Sequence, residues 1–278
     1  MYENLIYWTI FIIFVIIVAF IVFVIWYYLV HINTDMASVA NASGFIPYPY
    51  DRKKCCELIQ RPCEKKYKIA IVCLSVGNRK FAQITREFLT KYCNTHGYDL
   101  HYFTEPLDPR YKTIWQKILA FNKVLLTNKY DYVVWYDDDI LIKNMDIKME
   151  QFIALSDKPI ILSRDLPKKY YSIYINSGCF ICKNCDISKK LLRDWIDGYD
   201  NLFGGKFQTQ HHHDQSILIY LYFKKYHPYA DCIPHGVMQT IYGRYDTWDG
   251  EFAVHLSGLM SKPRNRLAEE YKSKLLKN

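Results

Sequence analysis

The chain has 278 residues, enough for one catalytic-size domain with appendages and too few for two complete domains and a linker. Half of its residues are hydrophobic and 17% are aromatic, which supplies the apolar surface a core needs and excludes intrinsic disorder. The formal charge of +8 is spread without a long basic run, so a small anionic ligand fits better than a nucleic-acid track, and no nucleic-acid partner is expected.

After a short tail at residues 1–4, the stretch from Leu5 to Val30 carries no charge and one clearly polar side chain, Thr9. As a helix it reaches about 39 Å, enough to cross a hydrocarbon core of about 30 Å with tilt. Tyr7 and Trp8 near one end, and Trp26, Tyr27 and Tyr28 near the other, suit the two membrane interfaces. A cleaved signal peptide fits less well, because a basic n-region and a small-x-small site are missing and the apolar run is too long. A transmembrane anchor is therefore expected over residues 5–30. Flanking charges do not orient it, whereas the sequon Asn41-Ala42-Ser43 makes sense only if the C-terminal part faces a lumen. Residues 31–66 hold no sustained period and read as a stem. The nine cysteines permit disulfides in a secretory compartment, with at least one thiol left over, and Cys55, Cys56 and Cys63 are placed to staple the distal stem to the domain.

From residue 67 onward, strand and helix patterns alternate. Lys68 to Ser75 is an apolar, β-branched run that ends in the turn Val76-Gly77-Asn78. Phe81, Ile84, Phe88, Leu89 and Tyr92 follow at helical spacing, with Gly97 as a stop. Tyr98 to Phe103 predicts a second strand, Ile114 to Leu126 a second amphipathic helix, and Tyr132 to Tyr136 a third strand. This βαβαβ order predicts an α/β fold with a mostly parallel, doubly wound sheet, whose ligands sit beyond the carboxyl ends of the strands.

The third strand ends in Asp137-Asp138-Asp139. Adjacent carboxylates repel one another unless a cation neutralises them, and hard oxygen ligands favour Mg²⁺ or Mn²⁺. In an extended segment Asp137 and Asp139 point to one side and Asp138 to the other. The plainer alternative is an acidic turn closing a strand. His255, in the apolar run Phe252 to Leu256, has the ordinary reading of a hydrogen-bonded core histidine. Asp214 likewise suits a helix N-cap. Cys179, Cys182 and Cys185 have a CxxCxxC spacing, but alternation puts Cys182 on the opposite face from the other two, which suits packing better than zinc. The adjacent His211, His212 and His213 cannot all converge on one ion.

The segment YDYVVWYDDDILIKN resembles the DxD segment of GT-A glycosyltransferases, and Trp115-Gln116-Lys117 looks like their WxK helix. Asn176-Ser177-Gly178-Cys179-Phe180-Ile181 resembles their N-[ST]-G-x-[FL] strand. Asp214-Gln215-Ser216 matches the DQS segment of glycosyltransferase family 34, and His255-Leu256-Ser257-Gly258 stands where that family has HFxG. In order and spacing these landmarks, from residue 68 to 263, make the chain similar to family 34, which includes galactomannan galactosyltransferases, xyloglucan xylosyltransferases and yeast α-mannan-building subunits.

The resemblance implies a GT-A, Rossmann-like domain over residues 67–278, held behind a type II anchor in the Golgi or secretory lumen. It implies a Mn²⁺- or Mg²⁺-dependent enzyme that moves a hexose or pentose from a UDP-sugar or GDP-mannose to a glycan or glycoprotein acceptor with retention of anomeric configuration, alone or in a homo- or hetero-oligomer. Matched residue by residue, Asp139 and His255 would ligate the metal, with Asp137 on the metal or the ribose. Lys117, Asp138, Asp165, Asn176, Ser177, Gly178 and Gly258 would line the nucleotide-sugar site, Gly178 permitting close backbone approach. Asp214 and Gln215 would flank the anomeric carbon, Gln215 positioning the sugar and stabilising an oxocarbenium instead of attacking it. Lys262 is the diphosphate cation expected from HxxGxxKP, but HLSGLMSKP has one extra residue, so Arg264 or Arg266 can take that place. The rival from another class is a membrane-displayed carbohydrate-binding or scaffolding protein without turnover. Acceptor choice is expected in residues 166–174 and 201–213.

Overall fold

The computed structural model describes Tyr7 and residues 11–24, 51–165, 175–208, 213–243 and 251–275. The chain divides into two units, residues 1–46 and 47–278. In the first, residues 11–24 are helical and exposed. Among the described residues no helix is long and apolar enough to cross a membrane. The expected span 5–30 lies partly, and the sequon wholly, outside the described residues.

The second unit begins earlier than its sequence pattern suggests. Asp51 accepts a hydrogen bond from the Lys54 N–H at 3.0 Å and caps α1 (Arg52–Leu58). Cys55, Cys56 and Ile59 enter the hydrophobic core. The Gln151 amide donates to the carbonyls of Ile59 and, at 3.0 Å, of Arg61. Residues 51–61, expected as stem, are thus part of the domain, held by packing instead of disulfides. All nine cysteines are free. Burial pushes the Cys55 thiol up to about 11 and raises that of Cys56, which keeps both protonated.

Six apolar residues form β1 (Ile69–Leu74), buried throughout as a central strand must be. Helix α2 (Lys80–His96) buries Phe81, Ile84, Phe88, Leu89 and Tyr92. It ends at Gly97, whose φ of 74° is the left-handed conformation that glycine adopts without a Cβ clash. Then come β2 (Asp99–Phe103), a 3₁₀ turn at Thr113–Trp115 running into α3 (Gln116–Leu125), and β3 (Tyr132–Tyr136). The expected βαβαβ core is present.

Beyond it lie β4 (Ile140–Ile142), α4 (Met149–Ile153), β5 (Ile160–Arg164), β6 (Ile175–Lys183), α5 (Asp186–Asn201) and α6 (His213–Leu221). The chain then forms β7 (Ala230–Ile233), β8 (Thr240–Ile241), β9 (Ala253–His255) and α7 (Ser261–Leu275). The main sheet has the order β2-β1-β3-β6-β5-β7. Pairings are parallel except for β6, which runs against both β3 and β5. A second sheet, β4-β9-β8, joins the rim where β3 ends. Cys179 and Cys182 are buried on β6, whereas Cys185 lies past the strand at the start of α5. The three therefore do not share one alternating strand. His211 and His212 lie outside the described residues.

Candidate functional site

The three acids occupy a turn, not the extended segment expected from alternation. The Ile140 N–H donates to the Asp137 carbonyl at 3.2 Å and closes the turn, while the Asp137 N–H donates to the Gly178 carbonyl at 2.8 Å and ties it to β6. The turn still turns Asp137 and Asp139 to one side. β4 then pairs antiparallel with β9, placing Ile140 opposite His255, and the Leu256 N–H donates to the Asp139 carbonyl at 2.9 Å. Backbone register thus delivers an imidazole from far along the chain to the end of β3.

Ligand atoms of Asp137, Asp139 and His255 lie within 4.8 Å of one another. His255 Nε2 is 3.0 Å from Asp139 Oδ1, and both residues are buried. Gly178 makes room for them, since a Cβ there would lie 2.5 Å from His255 Cε1 and 3.1 Å from Asp137 Oδ2. Two carboxylates and an imidazole are a donor set for Mn²⁺ or Mg²⁺, not for a thiolate-seeking metal. His255 Nε2, the ring nitrogen that faces Asp139, is the atom a cation in the cluster would take, and such a cation would also neutralise two carboxylates brought this close together. The residues fit a divalent ion.

The surrounding charges hold the cluster in order. Burial alone would raise the Asp139 pKa, but His255 and Arg264 bring it below the ordinary carboxylate value. Burial alone would lower that of His255, and Asp139 raises it. Asp138 faces away and pairs with Arg79; burial, with the charge of Asp139, still pushes its carboxyl up to about 6. Arg79 and Arg264 both lie over the Phe81 ring, at 5.5 and 4.8 Å from its centroid.

Lys117, in the first turn of α3, joins this cluster to α6. Its Nζ lies 3.0 Å from Asp137 Oδ1, 3.5 Å from Asp214 Oδ2 and 3.4 Å from Ser177 Oγ. Burial alone would favour neutral lysine, but Asp137 and Asp214 keep it charged and raise its pKa. Burial raises the Asp214 pKa, and Lys117 partly offsets that. Gln215 accepts from the Ser177 N–H at 3.1 Å. Trp135 Nε1 donates to Asp137 Oδ1 at 2.7 Å, and Trp195 Nε1 to the Asp214 carbonyl at 2.8 Å. At the start of β6, Asn176 Nδ2 donates to Asp165 Oδ2 at 3.3 Å.

Residues 68–172 match the model of the galactosyl transferase GMA12/MNN10 family, glycosyltransferase family 34. Probable glycosyltransferase 5 of Oryza sativa subsp. indica is 26% identical over 224 residues, covering 68% of this chain and 49% of its own. Probable glycosyltransferase 2 of the same rice is 27% identical over 146 residues, 47% of this chain and 30% of its own. The chain thus spans about half the length of these relatives or less. A solved glycosyltransferase involved in the glycosylation of the major capsid of PBCV-1 superposes with a TM-score of 0.58 at 18% identity, over 73% of this chain and 99% of that one. The chain has a family 34-like GT-A fold.

Within this GT-A fold the rim of β3 gathers Lys117, Asp137, Asp139, Ser177, Gly178, Asp214, Gln215 and His255 into one contiguous set. Asp165 and Asn176 adjoin it through Gly178, whose N–H donates to Asn176 Oδ1 at 2.8 Å. Gly258 and Lys262 are exposed. Arg264 instead reaches inward, 3.5 Å from Asp139 Oδ2, and Arg266 pairs with Glu270 at the surface. Trp135 and Arg79 escaped the sequence reading. Trp135 looks like any core residue of an apolar strand, and only its place two residues before Asp137 hints at its bond.

Proposed function

We propose that the chain is a divalent-metal-dependent glycosyltransferase that moves a hexose or pentose from a UDP-sugar or GDP-mannose to a glycan or glycoprotein acceptor, with retention of configuration. The observation that carries this reading is the convergence of Asp137, Asp139 and His255, from two distant segments, on one point at the end of β3 in the mixed, mostly parallel sheet. The family match over residues 68–172 supports it.

Asp139 and His255 would hold Mn²⁺ or Mg²⁺, with Asp137 completing the protein's share. Such an ion, when bound, supplies Lewis-acid stabilisation of a departing diphosphate. Arg264 offers the neighbouring positive charge at the rim, a role that its inward reach fits better than the exposed position of Lys262. Lys117 fixes the Asp137 and Asp214 carboxylates and keeps the buried site from accumulating negative charge. Gln215 is a neutral amide anchored by the Ser177 N–H, which suits positioning of the anomeric carbon and not covalent attack. The apolar run at residues 5–30 would tether the enzyme as a type II protein facing the Golgi or secretory lumen.

The test is donor consumption by the purified full chain in detergent with Mn²⁺, across UDP-galactose, UDP-xylose and GDP-mannose. One donor should be hydrolysed, or transferred when glycan is supplied, and EDTA should stop it. Full turnover in EDTA overturns the metal role, and a chain that binds donors without consuming any is a binding protein.

A further inference from the structure

Gln239 lies one residue before β8, outside every segment that carries a chemical motif, yet it is only 1% exposed. Its Nε2 donates to Asn176 Oδ1 at 2.9 Å and to Ser163 Oγ at 3.2 Å. Asn176 Oδ1 also accepts the Gly178 N–H. A backbone N–H can only donate, so the Asn176 atom facing it must be the amide oxygen. Gln239 supplies a second donor to that same oxygen and locks the assignment. The Asn176 amino group is thereby turned to Asp165 Oδ2.

A glutamine kept for packing alone would be a poor choice here. Its own Oε1 is buried without a hydrogen-bond partner, a desolvation cost that Leu or Met at the same place would avoid. What those side chains cannot do is fix an amide.

We propose that Gln239 is a positioning residue for the sugar half of the nucleotide-sugar donor. It sets the orientation of the Asn176 amide and, through it, of the Asp165 carboxylate, so that the pair presents one fixed pattern of donor and acceptor to sugar hydroxyls. The inference rests on the glycosyl-transfer reading, and it separates recognition of the sugar from recognition of the nucleotide.

Calorimetry on the full chain with Mn²⁺ tests it, using UDP and GDP on one side and UDP-galactose, UDP-xylose and GDP-mannose on the other. Gln239→Leu should leave the nucleoside diphosphate Kd within about twofold and weaken the sugar conjugate about tenfold, the scale of one buried hydrogen bond. Gln239→Met should do the same and stands in if the leucine variant does not fold. Added to Asn176→Ala, Gln239→Leu should cost nothing more, because both act through one amide. Equal losses for nucleotide and nucleotide-sugar, unchanged sugar-nucleotide affinity, or additive losses in the double variant each overturn the inference. A wild-type chain that binds no nucleotide-sugar overturns the transferase reading, and the inference falls with it.

Discussion

The two sides of the site are built by different means. Asp137, Asp139 and His255 are brought together by backbone: a hydrogen-bonded turn, the pairing of β4 with β9, and a glycine that yields its side-chain space. Lys117, Asp214 and Ser177 are brought together by charge, with one buried ammonium on α3 holding α6, β6 and the turn after β3. Geometry set by register survives the loss of a side chain, whereas geometry set by a buried ion pair does not. Failure should therefore take a different form on each side.

The largest expected effect is on the first side. Asp139→Ala and His255→Ala should each lower donor turnover about 100-fold or more while the far-UV circular dichroism stays native, since the strands that carry them remain paired. A collapse of the spectrum would mean that the side chains, not the register, build the cluster. Lys117→Met should fail differently, destabilising the domain by about 3 kcal/mol through the carboxylates left buried and unpaired, as read by urea unfolding. Native stability in that variant would remove the contrast. Gly178→Ala touches both sides, because its Cβ would meet His255, Asn176 and Asp137. It should cost about 1–3 kcal/mol and also weaken Mn²⁺ binding measured calorimetrically.

The smallest effect belongs to a charge pair outside the site. Burial alone would raise the Asp194 pKa, but Lys225 and Tyr226 hold it below the ordinary carboxylate value. A carboxyl lowered on folding adds stability above its unfolded pKa and loses it as pH falls through the folded one. Asp194→Asn should flatten the acid limb of thermal stability below about pH 4 by less than about 1 kcal/mol, with turnover unchanged. A larger change would show that surface pairs also carry this fold.

Much of this was legible in the sequence where the signal is local. From Ile69 to Tyr136 the strands announce themselves as apolar runs and the helices by their spacing, and the DDD triplet marks the rim. What escaped depends on packing between distant segments or on helical phase. α1 buries only Cys55 and Cys56 within seven residues, too short a stretch to show a period against its polar neighbours. The reversed insertion of β6 is a pairing decision that no local pattern encodes. Alternation placed Asp137 and Asp139 correctly for the wrong reason, since a turn and an extended segment both bring them to one side. The choice of Arg264 over Lys262 follows from phase. Arg264 precedes the buried Leu267 and Ala268 by three and four residues and shares their face, whereas Lys262 lies two residues earlier, about 200° around the helix.

The free thiols have a practical consequence. Cys73 on β1, Cys179 and Cys182 on β6, and Cys232 on β7 are sealed inside the main sheet, while Cys63 and Cys185 are half-accessible. An alkylating reagent would label the accessible pair at once and the sealed ones only when the sheet opens. Mass spectrometry of alkylated peptides would then time the opening of each strand, giving a clock for local unfolding that requires no engineered probe.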